Sequence, residues 1–337
     1  MKAWELRDSG LQNLKLVESA TPTPGPHELL VRVAAVSLNY RDKAIVDGNY
    51  PPHLIPRPLV LVSDAAGVVA EIGPGVTRFA VGARVTTHFF SRWIDGEPGP
   101  SEEAHCFGGP LPGGLAEFMI VHEDSAVEAP TSLSDAEAAT LPIAALTAWF
   151  ALVERGGLEA GQTVLTQGTG GVSIFAVQIA AAMGARVIAT SSSDAKLDRV
   201  RALGATDVIN YVKTPDWQQV ARELTADRGV DQILEVVGGV SINRSIEAAR
   251  VGGYVAVVGF LGSQQATIDL VPLFFRRVRI QGIAVGHRKA FEAMNRFVEA
   301  HAIKPVIDSI YPFEDAIAAF DHLSRGAFGK VVIAGAG

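Results

Sequence analysis

Residues 163–211 read TVLTQGTGGVSIFAVQIAAAMGARVIATSSSDAKLDRVRALGATDVINY. A short apolar run at Val164-Leu165 reads as a buried strand, and it breaks at Gly168-Thr169-Gly170-Gly171. A nearly all-apolar helix follows from Ser173 to Met183, closed by Gly184, and then a second strand from Arg186 to Thr190. Strand, glycine turn, helix and strand make the βαβ unit that holds a dinucleotide. Glycines let the backbone reach the pyrophosphate without a Cβ in the way, and the new helix aims its free N–H groups and positive dipole end at that anion. The third glycine position holds Ser173, which is still small. A tight turn without a ligand is the plainer reading of the glycines alone, but the units that follow favour the nucleotide. Gly168, Thr169, Gly170, Gly171 and Val172 are therefore candidate cofactor contacts.

The end of the second strand bears on which dinucleotide. An NAD site places Asp or Glu there to accept from the ribose 2′-OH. Here Thr190-Ser191-Ser192-Ser193 has no acid before Asp194, which reads as the cap of the next helix. Lys196 falls in that helix's first turn, where the dipole disfavours a cation. A 2′-phosphate held by Ser191, Ser192 and Lys196 explains the pattern and predicts NADPH; a solvated lysine beside a Ser-rich loop is the alternative.

Outward from this stretch, alternation continues. The pattern predicts strand Asp207 to Asn210, a helix from Pro215 through Leu224, strand Val230 to Val237, helix Ser241 to Arg250, a Gly252-Gly253 turn, strand Tyr254 to Phe260 and strand Val278 to Ala284. This is a doubly wound parallel sheet, with its ligand at the carboxyl ends of the strands. Val237, Gly238, Gly259, Phe260, Leu261 and Val285 stand at those ends as cofactor lining, although βα turns use glycine anyway. Before residue 125 the chain is Gly/Pro-punctuated and rich in short strands such as Leu29 to Val36, without helical periodicity, which suggests an irregular β-barrel. Residues 91–112 form a polar Pro/Gly-rich loop, read as a lid or an oligomer contact. After Gly286 come two helices and two short strands. The last, Lys330 to Ala334, is expected to rejoin the first region's sheet. The reading is residues 1–124 with 286–337 as one discontinuous domain and 125–285 as the nucleotide-binding domain.

Bulk numbers narrow the classes. The 337-residue chain is 48% hydrophobic and 19% charged, which suits about two globular domains. A net charge of −7 with interspersed signs argues against nucleic acid and against a polybasic membrane patch. No apolar run has the length of a membrane span, and the start lacks a signal-peptide core. One cysteine, Cys106, excludes an internal disulfide framework. The expectation is a soluble cytoplasmic protein acting on a small molecule.

The chain resembles the medium-chain dehydrogenase/reductase superfamily. The features that carry this are Leu59 to Gly75 (LVLVSDAAGVVAEIGPG), Leu141 to Trp149 (LPIAALTAW), the 163–211 unit and Gly329-Lys330-Val331-Val332. The resemblance implies a GroES-like catalytic barrel, a Rossmann domain and an active site in the cleft between them. It also exposes a departure. The catalytic zinc ligands of the family's alcohol dehydrogenases map onto Asn39, Ser63 and Ile143, none a good ligand, and the four-cysteine structural loop is missing. His88, His105 and His122 have no motif spacing around them. No zinc is therefore expected. Without a metal, hydride transfer suits acceptors that are already electron-poor. This likens the chain to the zinc-free quinone oxidoreductase and enoyl/enone reductase branch, where a Lys and a Tyr contact the 2′-phosphate; Lys196 and Tyr211 match. Asn39 lies where the family contacts substrate and nicotinamide, though a turn Asn bonding its own backbone is equally natural. Tyr50 matches a Tyr used as proton donor, or is simply packed before two prolines. Thr147 matches a nicotinamide contact, or is a helix Thr with a core-facing methyl. The alternatives are a zinc-independent alcohol or aldehyde dehydrogenase and a non-catalytic NADPH-binding protein. Strand 278–284, last in its sheet, would be an exposed apolar edge in a monomer, so a homodimer is predicted.

Overall fold

Six strands, all parallel, lie in the order 207–210, 186–191, 163–167, 230–235, 249–257, 279–282 in a computed structural model that describes residues 1–100 and 102–336. The chain starts at the centre of this sheet, runs out to one edge, then returns to the centre and runs out to the other. The order therefore reverses beside Thr163–Gln167, and that is where doubly wound sheets bind ligands. Every residue of Thr163–Gln167 and of Val230–Glu235 is buried, as expected of central parallel strands covered on both faces. One row across the sheet aligns Ile188, Leu165, Ile233, Val255 and Ile280. The helix Gly171–Ala182 is apolar nearly all round because it is buried, with Ile174, Phe175, Val177 and Ile179 in the interior.

Some boundaries differ from expectation, each for a local reason. Asp194 does not cap the next helix: Ser193 does, its Oγ accepting from the Lys196 N–H at 3.4 Å, and the helix spans Asp194–Ala202. The fifth strand, Ala249–Val257, runs through Gly252-Gly253, with a register shift opposite Val230 and Gln232 that absorbs the two glycines. The helix Leu270–Arg276 was not legible, since its apolar residues show no buried stripe. The edge strand is only Arg279–Gly282, shorter and more polar than 278–284 suggests.

Two compact units are present, Thr147–Val285 and Met1–Leu146 with Gly286–Gly337. Residues 125–146 pack with the first unit because Ala126–Glu128 pairs with Arg84–Thr87 and the Ile143 N–H donates to Asp64 at 3.1 Å. Here Glu28–Ser37 is the central strand. It pairs antiparallel with Asp64–Ile72, with Phe118–His122 and with the C-terminal Lys330–Ala334. A separate three-stranded sheet joins Lys2–Leu6, Leu14–Glu18 and Leu59–Val60. The first region does hold a helix, Tyr40–Val46, too short at two turns for helical periodicity to show. Residues 141–155 wind as two π-helical turns around the α-turn Leu146–Trp149, a departure that recurs at functional sites.

Candidate functional site

The glycine turn of the second unit has the form a diphosphate needs. Gly168 takes φ +72°, a left-handed conformation that favours glycine, and its N–H donates to the Thr190 carbonyl at 2.8 Å. A Cβ added at Gly168 or at Gly170 would meet nothing within 4 Å, so both glycines border open space. Gly170 precedes the first turn of the twelve-residue helix Gly171–Ala182, whose free N–H groups face that space. Ser173 is buried and its Oγ donates to the Gln167 carbonyl at 2.7 Å, which ties strand to helix where a third glycine would allow close packing. The residues present fit a dinucleotide.

At the neighbouring strand end, parallel pairing aligns Ser191 with Asn210 and leads Tyr211 N–H to the Ser191 carbonyl at 3.1 Å. Ser191, Ser192, Lys196 and Tyr211 thus share one sheet edge, Ser191 buried and Tyr211 exposed. Two residues not singled out from the sequence join them. Asn210 Nδ2 donates to Asp194 at 2.7 Å, and Lys213 Nζ pairs with the same carboxylate at 2.5 Å. The Asp194 carboxylate is therefore committed to neighbours.

The glycines at 238, 259 and 262 answer to a different demand. Leu261 and Gly262 N–H groups donate to the Val236 and Val237 carbonyls at 3.1 and 2.7 Å, and a Cβ at Gly238 would lie 2.5 Å from the Ser263 carbonyl oxygen. Two βα loops lie against each other there, with no room for side chains. The buried carboxylate of Glu235 fastens the first loop. It accepts from the N–H groups of Val237 and Gly238 at 2.9 and 3.0 Å, from Gln167 Nε2 at 2.8 Å and from the hydroxyls of Ser241 and Ser245 at 3.1 and 2.5 Å. Phe260 and Leu261 are exposed, and Gly259 stands against the Val236 carbonyl. Val285 adopts φ +56° although it is β-branched and buried, a strained position of the kind found beside ligands. Thr147 is buried in the α-turn between the two π-helical segments.

In the first unit a charged cluster lies wholly out of water. Lys330 Nζ donates to Asn39 Oδ1 at 2.6 Å and to the Leu38 carbonyl at 2.8 Å. Ser63 Oγ donates to Asp64 at 2.9 Å, and Asp64 also accepts from Ile143 N–H. The Asn39 N–H donates to Asp42 at 2.8 Å, whose other oxygen has no hydrogen-bond partner among the described residues. Burial drives all three ionisable groups towards neutrality. Asp42 is pushed up to about 6 by desolvation against the pull of Arg41. Asp64 is raised by the same cause, and Lys330 is lowered by desolvation against the two carboxylates. Tyr50 belongs to the same unit, its phenol oxygen accepting from Arg41 Nε at 3.2 Å. His88 is buried with Nε2 donating to the Gly286 carbonyl at 3.0 Å, and desolvation pushes it down to about 4. His122 Nδ1 accepts from the Asp124 N–H. Among the described residues no group of three or more His, Cys, Asp or Glu side chains is placed to hold a metal ion.

Comparison with known proteins converges on one family. Residues 25–131 match the alcohol dehydrogenase GroES-like domain and 171–300 the zinc-binding dehydrogenase model. A zinc-type alcohol dehydrogenase-like protein of Schizosaccharomyces pombe is 38% identical, over 96% of both chains. The chain belongs to the medium-chain dehydrogenase/reductase superfamily. It is an NAD(P)H-dependent oxidoreductase with a GroES-like and a Rossmann-like part. A quinone oxidoreductase of Rattus norvegicus is 30% identical over 96% of this chain and 94% of its own. Among solved structures, an NAD-dependent alcohol dehydrogenase superposes with TM-score 0.89 at 34% identity, covering 99% of both chains. A mycobacterial protein complexed with NADPH superposes with TM-score 0.84 at 27% identity, covering 99% of this chain and all of its own.

Residues in contact with the candidate site that sequence reasoning passed over are Arg41, Lys213, Glu235 and Lys330 as a partner of Asn39. A signal existed for two of them. Lys330 opens an otherwise apolar strand, KVVIA, and Glu235 closes VDQILE, a strand buried throughout; a charge on a buried strand position needs a built partner. Arg41 and Lys213 have no such signature, since each lies in a polar segment.

Proposed function

We propose that this protein is an NADPH-dependent, zinc-free reductase of quinones or of C=C bonds conjugated to a carbonyl. The observation that carries this is the fate of Asn39, Ser63 and Ile143. At the places where a metal would need ligands stand an amide, a hydroxyl and an aliphatic side chain, and the two polar ones are engaged by Lys330 and Asp64. That donor set does not fit zinc, so no step is routed through one. The quinone oxidoreductase relative supports the acceptor class. NADPH is supported by Ser191, Ser192, Lys196 and Tyr211 at one edge with Asp194 already paired.

When bound, the nucleotide supplies a hydride to the acceptor. The glycine turn and the first turn of Gly171–Ala182 would hold its diphosphate, and Val285, Thr147 and the loop fastened by Glu235 would line its nicotinamide end. Tyr50 supplies a proton to the enolate that forms from an enone, or a hydrogen bond to its oxyanion; a quinone takes its protons from water. Asn39, its Oδ1 held by Lys330, would donate from its amide nitrogen to the acceptor's oxygen. The protein works as a homodimer on a small-molecule substrate.

The test is NADPH oxidation by EDTA-treated protein with a 1,4-quinone and an α,β-unsaturated ketone in parallel, with NADH as control. Turnover after chelation, faster with NADPH, is expected. Activity restored only by added zinc, or oxidation of simple alcohols at comparable rate, would favour the alcohol dehydrogenase reading that the Schizosaccharomyces relative's name suggests. Tyr50→Phe is expected to slow enone reduction by about 100-fold or more and leave quinone reduction within a few-fold.

A further inference from the structure

The side chain that faces Tyr50 is bound on every side. Arg41, in the first turn of Tyr40–Val46, donates through Nη1 to the carbonyls of Phe107 and Gly108 at 3.3 and 3.2 Å and through Nη2 to the carbonyl of Gly109. Its guanidinium carbon lies 4.8 Å from the centroid of the Tyr50 ring and 5.1 Å from that of Phe89. Nε then points at the Tyr50 oxygen at 3.2 Å. Arginine has five N–H donors and no acceptor, and a phenol has a single proton. The phenol oxygen must therefore accept in this bond, and its O–H turns away from Arg41. Among the described residues, no hydrogen bond takes that proton.

We propose that Arg41 is the positioning residue of the reduction, holding the Tyr50 hydroxyl so that its proton is presented to one face of a carbonyl-conjugated substrate. The inference rests on the reading of Tyr50 as proton donor. In the step it serves, hydride reaches the β-carbon and the C=C pair moves towards the carbonyl as an enolate. The Tyr50 O–H bond then breaks and a C–H bond forms at the α-carbon. The O–H electron pair stays on the phenolate oxygen beside the guanidinium, and water returns the proton. The same fork of N–H groups fixes residues 107–109, so the loop that begins at 91 is anchored at its far end to the residue that orients the acid.

The test reduces an α-methyl cyclic enone with NADPH in D₂O, using the full-length protein and Arg41→Met, Arg41→Lys and Tyr50→Phe. The α-carbon configuration of the product is read by chiral chromatography and deuterium by NMR. The wild type is expected to give one α-epimer. Tyr50→Phe and Arg41→Met are expected to give mixtures and lose about 100-fold in kcat, with NADPH affinity within two-fold of wild type. Arg41→Lys, which keeps one cationic donor, should restore most of the epimer preference. A single epimer from Arg41→Met while Tyr50→Phe gives a mixture would overturn the role of Arg41 and leave Tyr50 standing. A single epimer from Tyr50→Phe, or no enone reduction by the wild type, would overturn the Tyr50 reading and this inference with it. Loss of NADPH binding in Arg41→Met would mark a folding defect; the decision then rests on Arg41→Lys, where a mixture would overturn the proposal.

Discussion

Two buried side chains tie the stability of the first unit to pH in opposite directions. Asp42 is raised from 3.8 to about 6 by burial, so the folded chain favours its neutral form. The stability it contributes is complete below about pH 4 and is lost as pH rises through about 6, an effect on the order of 3 kcal/mol. His88 is lowered from 6.5 to about 4, so its contribution is complete above pH 6.5 and lost as pH falls through about 4. Asp42→Asn keeps an acceptor for the Asn39 N–H and removes the cost of ionisation. Its melting temperature should equal that of the wild type near pH 4 and exceed it at pH 7.5; thermal scans at both values check this, and a variant weaker at pH 7.5 would contradict the burial argument. Lys330 carries a larger stake. Lys330→Met leaves Asp64 and Asp42 without their buried cation and Asn39 Oδ1 without its donor, and should cost about 3–5 kcal/mol in chemical denaturation.

At the scale of elements, glycines divide into those that a ligand needs and those that the fold needs. A Cβ at Gly170 enters open space, whereas one at Gly113 would lie 2.2 Å from the Leu61 carbonyl oxygen. Gly170 has φ −78°, open to any residue. Gly170→Val should therefore fold with a stability change of about 1 kcal/mol or less and lose NADPH binding at least tenfold, as read by fluorescence titration. Gly113→Ala should instead lose stability without any special effect on the nucleotide. The neighbouring strand ends test nucleotide choice. Lys196→Glu puts an acid at the edge formed by Ser191, Ser192 and Tyr211 and is expected to lower preference for NADPH over NADH by ten-fold or more; an unchanged ratio would remove Lys196 from the 2′-phosphate reading.

For the whole molecule, the question is what covers the second unit's outer edge. Arg279–Gly282 ends the six-stranded sheet and offers few apolar groups, but Leu270, Val271, Phe274 and Phe275 on the preceding helix are exposed. Four large apolar side chains on one short helix favour association, and pairing about a two-fold axis would cover helix and strand edge together. Sedimentation equilibrium is expected to give twice the chain mass of 35.6 kDa, and Phe274→Glu should shift it towards the monomer. A monomer for the wild type at every concentration would exclude the homodimer.

The sequence by itself determined the alternation of strands and helices from 163 to about 257, though not the helix Leu270–Arg276, and the site of the nucleotide turn. Those features rest on local rules: a buried strand is an unbroken apolar run, a helix that follows a glycine turn presents free N–H groups, and Asp207–Asn210 could be bounded to the residue. It did not separate the reasons for its glycines, because those at 170 and 238 look alike until the loops opposite them are known. Only tertiary structure brought Lys330 to Asn39 across 291 residues, Glu235 to Gln167 across 68 and Arg41 to the 107–109 carbonyls. A charged residue states in sequence that it needs a partner, but which partner depends on strand order, and strand order is a property of the folded chain.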